Sequence, residues 1–206
     1  MRRFALLAGM TQRVGIATLL LLVVLGACAK DSAKQWVGKA AALAALGRYD
    51  EALTAFDKAV ESKPTSAEAW AGRSLVLLQL QRYDEALAAI QRATELDPRY
   101  KYAWAAANVK VGAELLVLKR PEDALVFFNK AIELKPDYAP AWYNKSLVLA
   151  MQKRYEDALV ALDRTTELNP QNALAWNGKS LVLDKLGRPL EARAAAEQAK
   201  ALGLTR

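Results

Sequence analysis

The chain has 206 residues, 53% of them hydrophobic, and a formal net charge of +7. With no histidine and a single cysteine, it excludes a cysteine framework and any histidine-based metal site or catalytic triad. Three of the arginines (Arg2, Arg3, Arg13) sit in an N-terminal leader without acidic residues, and the remaining 26 basic and 22 acidic side chains are spread along the chain rather than gathered into a nucleic-acid-binding stripe.

Residues 1–27 read as a targeting segment. The arginines supply a positive n-region, Val14 to Leu25 an apolar h-region, and Leu25-Gly26-Ala27 precedes Cys28. The apolar run is shorter than the ~20 residues that span a bilayer comfortably. This ending resembles a bacterial lipobox, which implies that Cys28 is lipidated, becomes the new N-terminus and anchors the protein to a membrane. An uncleaved anchor, or a cut elsewhere, is the alternative. Ala29 rather than aspartate after the cysteine leans toward the outer membrane in a two-membrane bacterium. Residues 28–32, the lipidated cysteine and a short tether, reach at most roughly 15–18 Å when extended, so the domain that follows is expected near the lipid surface.

From Ala33 onward one unit recurs. Trp36 to Trp70, Trp70 to Trp104 and Trp142 to Trp176 are each 34 residues, while Trp104 to Trp142 is 38. Sixteen residues after Trp36, Trp70, Trp142 and Trp176 stand Ala52, Ala86, Ala158 and Ala192, and the units close with Pro64, Pro98, Pro136 and Pro170. Each unit holds two apolar runs at helical spacing, such as Trp142, Leu147, Leu149 and then Ala158, Leu159, Leu162, separated by a polar break. Neither helix buries its apolar face alone; a hairpin of two, stacked on the next hairpin, buries both. Small residues (Ser74, Ser146, Ser180; Ala86, Ala158, Ala192) let paired helices approach, and Pro121 and Pro189 fall in the first turn of a second helix. The repeats are 33–66, 67–100, 101–138, 139–172 and 173–206. Repeat three carries four extra residues between Trp104 and Gly112, which predicts a first helix longer by one turn.

A 34-residue period with this pattern resembles the tetratricopeptide repeat family over residues 33–206. The resemblance implies an all-α, right-handed α-solenoid of five helix-turn-helix repeats. It also implies that a protein or peptide partner binds in a groove lined by first helices, here Val37, Ala41, Ala71, Leu75, Leu78, Tyr143, Leu147, Met151, Leu181 and Asp184. Chaperone-binding members carry a lysine and asparagine clamp for a C-terminal carboxylate. Here Val37, Ala71 and Ala105 take the lysine's place, and Ala41, Leu75 and Val109 the asparagine's, so an amphipathic helix or apolar strip is the expected ligand. The other reading is that intramolecular packing fills much of this face.

No phosphate loop, GxSxG elbow, HExxH or CxxC occurs. An enzyme, a metal site and a bound cofactor are therefore not expected, nor is a nucleic-acid partner. The tryptophans read as packing residues, with Lys39, Arg73, Lys145 and Lys179 snorkelling beside them. A basic row (Arg48, Arg82, Arg120, Arg154, Arg188) falls in the turn of every repeat. It reads either as solvated residues paired with nearby carboxylates or as a basic edge for anionic headgroups or an acidic partner. The functional expectation is a membrane-anchored, extracytoplasmic adaptor or scaffold, similar in kind to lipid-anchored pilus- and outer-membrane-assembly factors. The alternatives are a self-associating envelope component, hence a homo-oligomer through the last repeat, and a regulatory subunit of an envelope enzyme.

Overall fold

The structure, a computed structural model, describes residues 32–204. The leader, Cys28 and most of the tether lie outside the described residues. Within them run ten α-helices and one 3-10 turn, with no strand. Helix α1 covers residues 32–45. It is followed by α2 (Tyr49–Ser62), α3 (Ala67–Gln79), α4 (Tyr83–Leu96), the 3-10 turn (Pro98–Tyr100), α5 (Lys101–Val117) and α6 (Pro121–Leu134), then by α7 (Ala139–Met151), α8 (Tyr155–Leu168), α9 (Ala173–Lys185) and α10 (Pro189–Ala201). Ser32, assigned to the tether from sequence, is already helical; it stands where Ser66 caps α3, a position between loop and helix. The chain divides after Asp97 into two compact units, α1–α4 and the remainder.

The turn inside each repeat is built one way. In repeat four the Arg154 N–H donates to the Leu149 carbonyl at 2.9 Å and the Lys153 N–H to the Ala150 carbonyl at 3.0 Å, which closes the first helix with a Schellman motif. The residue between helix end and arginine takes the left-handed conformation: Gly47, Gln81, Lys119, Lys153 and Gly187, with φ of 73°, 58°, 59°, 60° and 71°. The arginine that completes this motif is also the N-cap residue of the second helix. Pro121 and Pro189 then occupy the first helical position, where a missing N–H is harmless.

Paired helices meet on small residues. Ala86, Ala124 and Ala158 are fully buried, and buried Ser74 donates from Oγ to the Ala86 carbonyl at 2.7 Å across the α3–α4 pair. In the first unit α2 packs on α3; in the second, α6 packs on α7 and α8 on α9, while α5, α7 and α9 lie side by side as one layer. The main core of the second unit gathers Leu149, Leu159, Leu162, Val182 and Leu183. Each such side chain contributes roughly 1.5–3 kcal/mol on burial.

Helix α5 has 17 residues where α3, α7 and α9 have 13, so the insertion is one further helical turn. Tyr102 in its first turn meets Tyr138 edge-on, with ring centroids 5.1 Å apart. Gly112 on the same helix receives the Phe128 ring, which lies 2.5 Å from where a Cβ would stand. Phe56 fills the space over Gly72 in the same way at 2.3 Å.

Candidate functional site

The layer of first helices in the second unit carries the predicted strip. Tyr143, Leu147 and Met151 are spaced four residues apart on α7 and share one face. Leu147 is 37% exposed, Met151 66% and, on the neighbouring α9, Leu181 49%. Tyr143 is half-buried, and that burial pushes its phenol pKa up. Asp184 is exposed at the C-terminal end of α9. The strip is a surface rather than a cavity. A cleft of about 550 Å³ lies between α9 and α10, beside Asn177, one helical turn before Leu181, and Arg193, Glu197 and Lys200.

In the first unit Leu75 is 61% exposed, Ala41 exposed and Val37 half-buried. Ala71 and Leu78 are each only 6% exposed, and correct the expected lining. They are two helical turns apart on the stripe that includes Ser74, 1% exposed, and that stripe is the packed side of α3.

Each turn arginine is held by the carboxylate three residues on. The Nε–oxygen distances are 2.6 Å for Arg48–Glu51, 2.7 Å for Arg82–Glu85, 2.6 Å for Arg120–Asp123, 2.9 Å for Arg154–Asp157 and 2.7 Å for Arg188–Glu191. The hydrogen bond from the arginine holds Glu51, Glu85 and Glu191 below the usual glutamate value. This is the paired, solvated arrangement of the two that the sequence allowed, and it leaves the basic row locally neutralised.

The five tryptophans are half-buried. Trp70, Trp142 and Trp176 donate from the indole N–H to the carbonyls of Pro64, Pro136 and Pro170 at 2.9, 2.8 and 2.8 Å, tying the start of a first helix to the preceding loop. The expected basic neighbours lie over the rings: Lys39 on Trp36 at 5.1 Å, Arg73 on Trp70 at 5.9 Å, Lys145 on Trp142 at 5.5 Å and Lys179 on Trp176 at 5.2 Å. Sequence reasoning missed that two of them also bridge to the preceding helix. Arg73 donates to Asp57 at 2.7 Å, and the Lys179 ammonium sits 2.8 Å from Asp163. The signal was available in the constant spacing of sixteen residues between acid and base.

Among the described residues no group of acidic, histidine or cysteine side chains is arranged to hold a metal, and no helix is long and apolar enough to cross a membrane. Helix α10 turns a polar side outward, with Arg193 81% and Glu197 68% exposed and bonded to each other at 3.1 Å.

Two tetratricopeptide repeat profiles match residues 37–101 and 115–182. A search of curated protein sequences finds no match. Similar solved structures include MamA, at 19% identity and TM-score 0.64 over 84% of this chain and 92% of that one. YrrB, described as a repeat protein of this kind with an unusual peptide-binding site, has 22% identity and TM-score 0.56 over 84% and 88%. The pilF protein of Pseudomonas aeruginosa has 20% identity and TM-score 0.59 over 86% and 79%. At these identities the likeness is one of fold.

Proposed function

Since the chain belongs to the tetratricopeptide repeat family, whose members bind proteins or peptides, we propose that it is an adaptor that holds an amphipathic helix of a partner protein on the α7–α9 face. The observation that carries this is the exposed strip of Leu147, Met151 and Leu181 beside Tyr143 on one layer of helices. Three large apolar side chains left in water on adjacent helices are the composition of a helix-in-groove site. The peptide-binding site of YrrB supports the same use of the fold.

We place the adaptor outside the cytoplasm, lipid-anchored through Cys28, as a component of an envelope complex. Support for this lies in the leader, the cysteine at its end, and the three residues that separate Cys28 from the first described helical residue. Labelled palmitate fed to the native host should mark the wild-type protein and not Cys28→Ala; a wild-type protein that takes up no label would reject the lipid anchor.

The binding face is tested by a photo-crosslinking residue at Leu147, with one at Lys130 as control, in the native host. Lys130 is exposed on α6 and paired with Glu133. Capture of one discrete envelope protein from Leu147, abolished by Leu181→Asp and absent from Lys130, is the expected result. Equal capture from both positions, or none from Leu147, would reject this face.

A further inference from the structure

One inter-repeat contact occurs twice with the same chemistry. On α2 the Phe56 ring fills the space over Gly72, and the next residue, Asp57, accepts from Arg73 at 2.7 Å. On α8 a Leu162 methyl lies 3.1 Å from the Cβ position of Gly178, and the next residue, Asp163, faces the Lys179 ammonium at 2.8 Å. The receiving sequences are Trp70-Ala71-Gly72-Arg73 and Trp176-Asn177-Gly178-Lys179. The glycine makes room for a large apolar side chain, and the base beside it takes the carboxylate.

Trp36-Val37-Gly38-Lys39 on α1 is the same cradle. Among the described residues nothing lies within 4 Å of a Cβ at Gly38. Lys39 lies over the Trp36 ring at 5.1 Å, and Lys58 reaches the same ring from α2 at 4.5 Å. The neighbouring acid, Glu51, is bonded to Arg48, as its counterpart Glu85 is to Arg82. Among the described residues, Lys39 therefore has the counterpart of Glu85 and lacks that of Asp57.

We infer that Trp36, Gly38 and Lys39 form a docking site for a helix of another protein that presents a large apolar side chain followed directly by aspartate or glutamate. The molecule's own helices state that chemistry twice. Two other occupants fit less well. The matching positions of α10 in a second copy are Ala196 and Glu197, an acid without a large side chain, and Arg193 stands where α2 and α8 have Leu53 and Leu159. Sixteen residues before Gly38 and Lys39 stand Leu22 and Val23, which are apolar without an acid. This site is separate from the α7–α9 face and does not depend on it.

The probe is a helix-stapled, fluorescein-labelled peptide with the sequence of residues 49–62, titrated against the full chain and read by anisotropy. Saturable binding is expected, weakened about tenfold or more by Gly38→Ala and by Lys39→Glu. A peptide carrying Asp57→Lys should regain affinity for the Lys39→Glu protein, as a charge swap requires. Among the described residues a Cβ at Gly38 meets nothing within 4 Å, and alanine favours a helix, so an unchanged or raised Tm in Gly38→Ala separates a blocked cradle from an unfolded one. Binding that ignores both substitutions, or fails to saturate, overturns the site. A wild-type chain that self-associates and becomes monomeric with Lys39→Glu would make a second copy the occupant, against the inference. Peptide binding that appears only after residues 1–27 are removed would assign the site to the leader, also against it.

Discussion

The Trp142 indole N–H donates to the Pro136 carbonyl at 2.8 Å, across the loop that joins α6 to α7. The same bond recurs six residues back from Trp70 and Trp176. Tryptophan thus does two tasks: its ring packs beneath a lysine or arginine, and its N–H fixes the angle at which one repeat enters the next. Trp142→Phe keeps most of the ring and loses the bond. Because the bond is exposed and water replaces it, the cost should fall at the low end of about 0.5–1.5 kcal/mol. Trp142→Ala should cost several-fold more. Urea unfolding checks both, as a lower midpoint at unchanged m-value.

The arginine of each turn is positioned by backbone geometry and neutralised by its own helix. Its partner carboxylate lies in the first turn, where the helix dipole also favours negative charge. Glu51, Glu85 and Glu191 have folded-state pKa values below the ordinary 4.5. Their contribution to stability is therefore complete above the unfolded value and is lost as pH falls through the folded one. The loss should begin near pH 4.5 and extend below it, with nothing changing between pH 6 and 8 from this source. Arg82→Gln should return Glu85 toward the ordinary glutamate value, followed by carboxyl NMR. A Glu85 titration unmoved by that change would show that the hydrogen bond from Arg82 is not its cause.

Much of this was legible in the sequence because the repeat states each local rule several times. The helix pairs, the proline stops, the prolines at α6 and α10, and the extra turn of α5 all follow from spacing and turn chemistry. Side-chain direction on a helix was less legible. Leu75 and Leu78 differ by three positions, yet one is in water and the other buried, since α3 packs on more than one side. The Gly72–Phe56 and Gly112–Phe128 contacts were hidden for another reason. Gly72 recurs in register with Gly38 and Gly178, two residues after a tryptophan, but that spacing does not name the side chain that fills the space, and Gly112 stands outside the pattern.

Three of the five turn residues in the left-handed conformation carry side chains: Gln81, Lys119 and Lys153. A side chain there costs roughly 1–2 kcal/mol, part of which glycine returns as entropy lost on folding. Lys153→Gly should therefore stabilise the protein by about 0.5–1 kcal/mol, and Gly187→Ala should destabilise it by about 1 kcal/mol. Thermal unfolding reads both signs. A Tm lowered by Lys153→Gly would mean that the lysine makes a contact worth more than its backbone strain.

The helical glycines order a final series. A Cβ at Gly112 would stand 2.5 Å from the Phe128 ring, and Phe128 is the largest fully buried side chain among the described residues. At Gly178 the nearest atom is a Leu162 methyl at 3.1 Å, which needs to move only a few tenths of an ångström. Alanine raises helix propensity by up to about 1 kcal/mol at either position, but overpacking costs about 1–3 kcal/mol where the neighbour is a trapped ring. Gly178→Ala should thus be close to neutral and Gly112→Ala clearly destabilising. The two effects are separated by adding Phe128→Leu, which gives Gly112 the kind of neighbour Gly178 already has. In that background Gly112→Ala should cost less than it does alone, so the double-mutant cycle should show a favourable coupling. A coupling of zero would mean that the penalty at Gly112 comes from its backbone and not from the ring it accommodates.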